Sequence, residues 1–227
     1  MRGLPRDRHD GDEERNFDLR REEVNAMTET ETIALSSEDQ GRANLYALLA
    51  RLMYAGADAG LLRSLADAVE MFEGEGPLPI AWRKLAAAAA RTNAGASVAD
   101  FDATFVGVGK APVTPYLSHY MVSSGHEKVL VDLRDELREL GLVRDAKAVE
   151  PEDHVAALLE VMRHLIARGD SDESLAAQQA FFGRFVAPGY RGFCDAARQV
   201  ELSEFYQGTI DVVDAFLQAE VEQFEMS

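Results

Sequence analysis

The chain has 227 residues, 47% of them hydrophobic, enough for one large domain or two small ones with a buried core. Its 23 Lys and Arg stand against 40 Asp and Glu, a formal charge of −17 that repels phosphate backbones and speaks against sequence-independent nucleic-acid binding. The single cysteine, Cys194, excludes an intramolecular disulfide and a cysteine-built metal site, a usage that fits the cytoplasm.

Residues 1–36 hold six Arg and ten acidic residues with almost no apolar periodicity, and read as a mobile polar leader ahead of a domain at 37–227. Arg20 and Arg21 are adjacent, but Glu22, Glu23 and Asn25 follow where an export signal needs an apolar run of about 7–15 residues. Met27 is a candidate alternative start. From residue 37 on, helical spacing dominates. Ser37 and Gln40 form a capping-box pattern ahead of a stripe of Leu45, Leu48, Leu49, Leu52 and Met53. Leu61, Leu65, Ala68 and Phe72 mark a second helix, ended by Gly74-Glu75-Gly76-Pro77. A third runs from about Pro79 through Trp82, Leu85 and Ala89. Ser97 is expected to cap a fourth that carries Phe101 and Phe105.

Residues 107–117 are a Gly/Pro-rich connection. The phosphate-loop reading is weak, because Ala111 and Pro112 follow Lys110 and a helix, not a strand, precedes. Leu130, Leu133, Leu137 and Leu140 then form a stripe closed by Gly141. Pro151 is expected to open a helix bearing Leu158, Leu159, Met162 and Leu165. A further helix from Leu175 to Phe185 is expected to be cut by Pro188-Gly189, and two last segments reach Phe224. The class is all-α: one bundle-like domain of about eight or nine helices. Its apolar stretches are far shorter than the ~20 residues of a membrane span, so no stable membrane insertion is expected.

Glu150-Pro151-Glu152-Asp153-His154 are the most informative five residues. With Pro151 at the first helical position, Glu150 sits at or beside the cap and Glu152 and Asp153 fall in the first turn, where the helix dipole favours negative charge. The plain reading is a well-capped helix start. The functional one is a partly exposed acidic cluster with an imidazole, able to hold guanidinium groups. The histidines show neither His-x3-His nor His-Glu-x-x-His spacing, and Cys194, Ser118, Ser123 and Ser124 form no recognisable nucleophile motif. No catalytic residue, metal or cofactor is assigned. A small helical metal-binding protein or enzyme using His and carboxylate groups is the alternative reading.

In its motifs the chain resembles the TorD/DmsD family of cytoplasmic molybdoenzyme maturation chaperones. Glu150 to His154 fits that family's Glu-Pro-x-Asp-His. The segment Phe101-x3-Phe105-x-Gly107 leads through a Pro-rich loop to Tyr116-x-Ser118-x-Tyr120. An early helix reads Arg42-x-x-Leu45-Tyr46-x-Leu48-Leu49-Ala50. The resemblance covers about residues 38–205, and its loop looks closest to members associated with formate dehydrogenase-like enzymes. It departs at Leu117, where the family often has Glu, and at 185–189, which lack the family's His-Leu and Pro-Trp pairs. It implies a monomeric or homodimeric binding protein, not an enzyme. Its partner would be a molybdoenzyme catalytic subunit, held through that subunit's twin-arginine signal peptide until the cofactor is inserted. By the same resemblance, Tyr116, Ser118, Tyr120, Glu150, Pro151, Asp153 and His154 would form the peptide site. From residue 37 on, 17 basic and 30 acidic side chains leave a net −13, which suits such a cationic ligand.

Overall fold

A computed structural model describes residues 35–107, 110–144 and 149–226; the expected leader and Met27 lie outside it, apart from its last two residues. Among the described residues the chain forms α1 (Ser37–Tyr54), α2 (Ala59–Asp67), α3 (Pro77–Ala89), α4 (Ala94–Phe101), α5 (Ser118–Met121), α6 (His126–Glu139), α7 (Val155–Ile166), α8 (Asp172–Phe181), α9 (Ala187–Arg198) and α10 (Glu204–Met226). Two π-helical stretches, Asp102–Val106 and Phe182–Val186, extend α4 and join α8 to α9 without a break. The all-α class and the single helical domain hold. There is no strand among the described residues, only one isolated antiparallel bridge between Tyr116 and His154.

The caps differ from expectation by register. Ser36, not Ser37, caps α1: its hydroxyl oxygen accepts from the Asp39 amide at 3.0 Å and its O–H donates to the Asp39 carboxylate at 2.9 Å. Asn93, not Ser97, caps α4. Ser97 is buried inside that helix, where its oxygen accepts from the Ala57 amide at 2.8 Å and ties α4 to the α1–α2 turn. Pro188 does not end a helix. It occupies the second position of α9 directly after a π turn, where the missing N–H is absorbed by the wider hydrogen-bond spacing.

The core is built from the stripes the sequence announces. α1 lies along α7, and α10 lies along α3 and α9. Leu49, Leu52, Leu159, Met162 and Leu165 fill the first contact, and Leu85, Phe205, Val213 and Leu217 lie in the second part of the same core. Phe101, Phe105, Phe193 and Tyr206 form an aromatic cluster with ring centroids 5.4–6.2 Å apart. Tyr54 at the end of α1 meets His154 just before α7, so this pair of helices is antiparallel. The short α5 packs on α9 through Gly189, where a Cβ would come within 2.8 Å of the Leu117 carbonyl oxygen. That close approach seats the segment 113–121 beside the head of α7.

Candidate functional site

The site is the junction of the loop before α5 with the turn before α7. Two rungs of backbone pairing zip them together: the Leu117 amide donates to the Asp153 carbonyl at 2.9 Å, and the Val155 amide donates to the Pro115 carbonyl at 2.8 Å. This pairing overturns the expectation that Pro151 opens the helix. Residues 151–154 are used as a turn, α7 begins at Val155, and His154 is its cap, with Nδ1 accepting from the Ala156 amide at 3.2 Å. A helix starting at 151 would commit residues 152–154 to helical dihedrals and forfeit the rungs.

Asp153 and His154 are also more enclosed than their sequence position indicates. They are 4% and 5% exposed, not partly exposed. Asp153 Oδ2 accepts from the Ser118 hydroxyl at 2.5 Å, while Oδ1 is buried with no hydrogen-bond partner. Burial raises the Asp153 carboxyl above its ordinary value despite the Ser118 hydrogen bond. Burial lowers His154 to about 4, so the ring is neutral at pH 7, and its acceptor role at Nδ1 puts the proton on Nε2. The ring sits edge-on to Tyr54 and Tyr116, at 6.2 and 5.7 Å between centroids.

The half-exposed members face outward. The Tyr116 hydroxyl donates to Glu150 Oε2 at 2.6 Å, and burial together with that carboxylate pushes the phenol up to about 12. The Tyr120 hydroxyl donates to the Thr114 carbonyl at 2.9 Å and closes the loop. Pro151 lines a narrow apolar cleft of about 30 Å³ with Leu137, Leu142, Val143, Ala157 and Val161. Glu150, Glu152 and Arg144 complete its wall, and Val143 in the lining is 77% exposed.

The seven residues singled out from the sequence therefore share one location, with Ser118, Asp153 and His154 inside it and Tyr116, Tyr120, Glu150 and Pro151 nearer the surface. Spacing alone misses the two arginines. Arg134 of α6 donates through Nε and Nη2 to Glu152 Oε2, at 3.1 and 3.0 Å, and Arg144 Nη1 lies 3.9 Å from Glu152 Oε1. Burial pushes the Glu152 carboxyl up, but the hydrogen bond and charge of Arg134, with Arg144, outweigh it and hold the group below its usual range.

Cys194 is buried and its thiol is pushed well above its ordinary value by desolvation. Among the described residues no group of three or more His, Cys, Asp or Glu side chains is placed to hold a metal ion. A wider groove of about 250 Å³ lies between α3, α9 and α10, but its cations are spent: Lys84 on Asp211, Arg198 on Asp211 and Asp214, and Arg191 on Gln218. No helix among the described residues is long and apolar enough to cross a membrane.

Residues 73–195 match the protein family described as nitrate reductase delta subunit, a stretch that contains both halves of the site. Among curated proteins, the chain is similar to the chaperone protein TorD of Photobacterium profundum, 29% identical over 129 residues, or 53% of this chain and 60% of that one. The TorD chaperone of Aliivibrio fischeri is 26% identical over 132 residues, 54% of this chain and 61% of that one. Against these two the chain spans about three fifths of the relative's length. The TorD chaperone of Shewanella pealeana is 25% identical over 214 residues, 86% of this chain and 95% of that one.

Proposed function

Because the chain belongs to the nitrate reductase delta subunit family, with TorD chaperones among its relatives, we propose that it is a maturation chaperone for a molybdoenzyme catalytic subunit. It acts in the cytoplasm by binding, not by catalysis. It holds the client's twin-arginine signal peptide and keeps the apo subunit from export until the cofactor is inserted. The loop at 107–120 makes a formate dehydrogenase-like subunit the first client to test.

The observation that carries this reading is the pairing of Glu150 with the apolar cleft. A signal peptide presents two guanidinium groups followed by an apolar run, and its receptor needs carboxylate next to apolar surface. Glu150 is half-exposed, accepts from Tyr116, and borders the cleft through Pro151. In this reading Tyr116, Glu150 and Pro151 meet the peptide. Ser118, Tyr120, Asp153 and His154 bear on it from beneath, by setting the turn that presents those three.

The test is calorimetric titration of the full chain with a synthetic peptide carrying Arg-Arg and a following apolar run. Affinity is expected to fall as salt rises, because exposed ion pairs are screened over about 8–10 Å at ordinary ionic strength. Glu150→Gln is expected to weaken binding about 3- to 10-fold with the melting curve unchanged. Affinity that is flat with salt and equal in E150Q would overturn the reading.

A further inference from the structure

Glu152 is served unequally by its two arginines. Its Oε2 takes both hydrogen bonds from Arg134, while Oε1 faces Arg144 across 3.9 Å, an ion pair beyond hydrogen-bond distance. Arg134 projects from α6, a rigid support. Arg144 stands in the non-helical stretch that follows it, and its Nη2 also donates to the Val149 carbonyl at 3.2 Å. The Glu152 side chain is 11% exposed and that of Arg144 is 36% exposed, so the guanidinium forms the outer cover of the carboxylate, on the wall of the same cleft as Glu150.

We propose that Arg144 is a resident stand-in for a ligand guanidinium: it covers Glu152 Oε1 in the free protein and is displaced when a client's second arginine docks there. The inference rests on the peptide-binding reading above and adds to it a specificity-determining residue. A carboxylate offers about four lone-pair sites, and a planar guanidinium satisfies two of them at once. The long contact to Arg144 leaves that geometry unused. Without Arg144, Arg134 would still pair Oε2, but Oε1 would lose its cationic cover, so the stand-in supports the empty site. Its head already reaches water, so a docking guanidinium can exchange with it at Oε1 without first opening a buried pair. A ligand must therefore bring enough to replace it. A single arginine on Glu150 does not, whereas a pair does, and lysine, a point charge without the planar fork, competes poorly.

The test uses the full chain and a synthetic peptide with an Arg-Arg pair ahead of an apolar run, titrated calorimetrically beside a melting curve. Arg144→Gln is expected to bind it roughly two- to five-fold more tightly than the wild type. Arg144→Leu, which keeps an aliphatic wall on the cleft, is expected to do the same, and it serves if the first variant is unstable. Arg138→Gln makes the same charge change on α6, where its partner is Asp135 outside the cleft, and is expected to shift affinity by less than half as much. Unchanged or weaker binding by both Arg144 variants overturns the inference alone, as does an equal gain in R138Q, which would mark a general field effect. If neither the wild type nor any folded variant binds the peptide, the peptide-binding reading falls and this inference with it. Binding by R144Q where the wild type shows none supports the stand-in.

Discussion

Among the described residues two carboxylates are buried, and they are treated in opposite ways. Glu220 of α10, 2% exposed, accepts from Arg42 Nε and Nη2 at 2.9 and 2.8 Å and from the Tyr46 hydroxyl at 2.9 Å. Both of its oxygens are used, and the charge of the opposing guanidinium is matched. Asp153, 4% exposed, has one hydroxyl partner on one oxygen and nothing on the other. The first arrangement locks the start of α1 to the end of α10 across 178 residues of sequence. The second sits under the proposed peptide face and is held in place by the backbone rungs around it. A fully satisfied buried charge is a structural clamp. A half-satisfied one is tolerated where the surrounding turn, not the ion, supplies the stability.

The comparison breaks most visibly at Glu220. Glu220→Ala takes from the buried Arg42 its two-pronged partner, leaving it the Asp39 carboxylate at 3.0 Å, and is expected to cost about 2–4 kcal/mol, read by urea denaturation. A loss under ~1 kcal/mol would remove the clamp from the account.

Acidification probes the other region. His154 is held near 4 against an ordinary 6.5, so between those values the unfolded chain binds a proton that the folded chain excludes. Its contribution to stability is complete above about 6.5 and is lost as the pH drops toward 4, by up to about 3 kcal/mol. The raised Asp153 acts in the opposite sense, since the folded state there holds its proton more tightly, and offsets part of the loss as the pH falls through its own window. Depressed Glu152 adds to the loss only below its ordinary carboxylate value. His154→Asn keeps a capping acceptor and is expected to flatten the difference between pH 7 and pH 4 in denaturation curves. A variant as acid-sensitive as the wild type would move the sensitivity elsewhere.

The smallest expected effect sharpens the contrast. Asp153→Asn removes a charge that burial disfavours, and is expected to change stability by less than about 1 kcal/mol at pH 7, in either direction. A loss as large as that of E220A would make the two carboxylates equivalent clamps.

Helices were legible because their signal is local. The stripe Leu45, Leu49, Leu52, Met53 repeats at 3.6 residues and became a buried face, as did that of α7, whereas in α6 only Leu133 is fully buried and Leu175 of α8 is exposed. The cap positions slipped by one to four residues, since Ser36 and Ser37, or Asn93 and Ser97, are alike in sequence and differ only in what packs beside them. The five residues from Glu150 to His154 were visible as a constellation for the same reason: an acidic, proline-marked run stands out in any register.

Sequence by itself determined the helical class, most of the core stripes, the acidic character and where the candidate residues cluster along the chain. Tertiary structure alone decided which of those acids face water. Asp153 is buried because residues 115–118, some 35 positions away, pair with its turn, and Glu152 is covered because α6 and the stretch after it deliver Arg134 and Arg144. Periodicity is a property of neighbours along the chain and is written in their order. Pairing between two loops depends on the close approach of α5 to α9 at Gly189 and on the path of the chain between them, which no local pattern records.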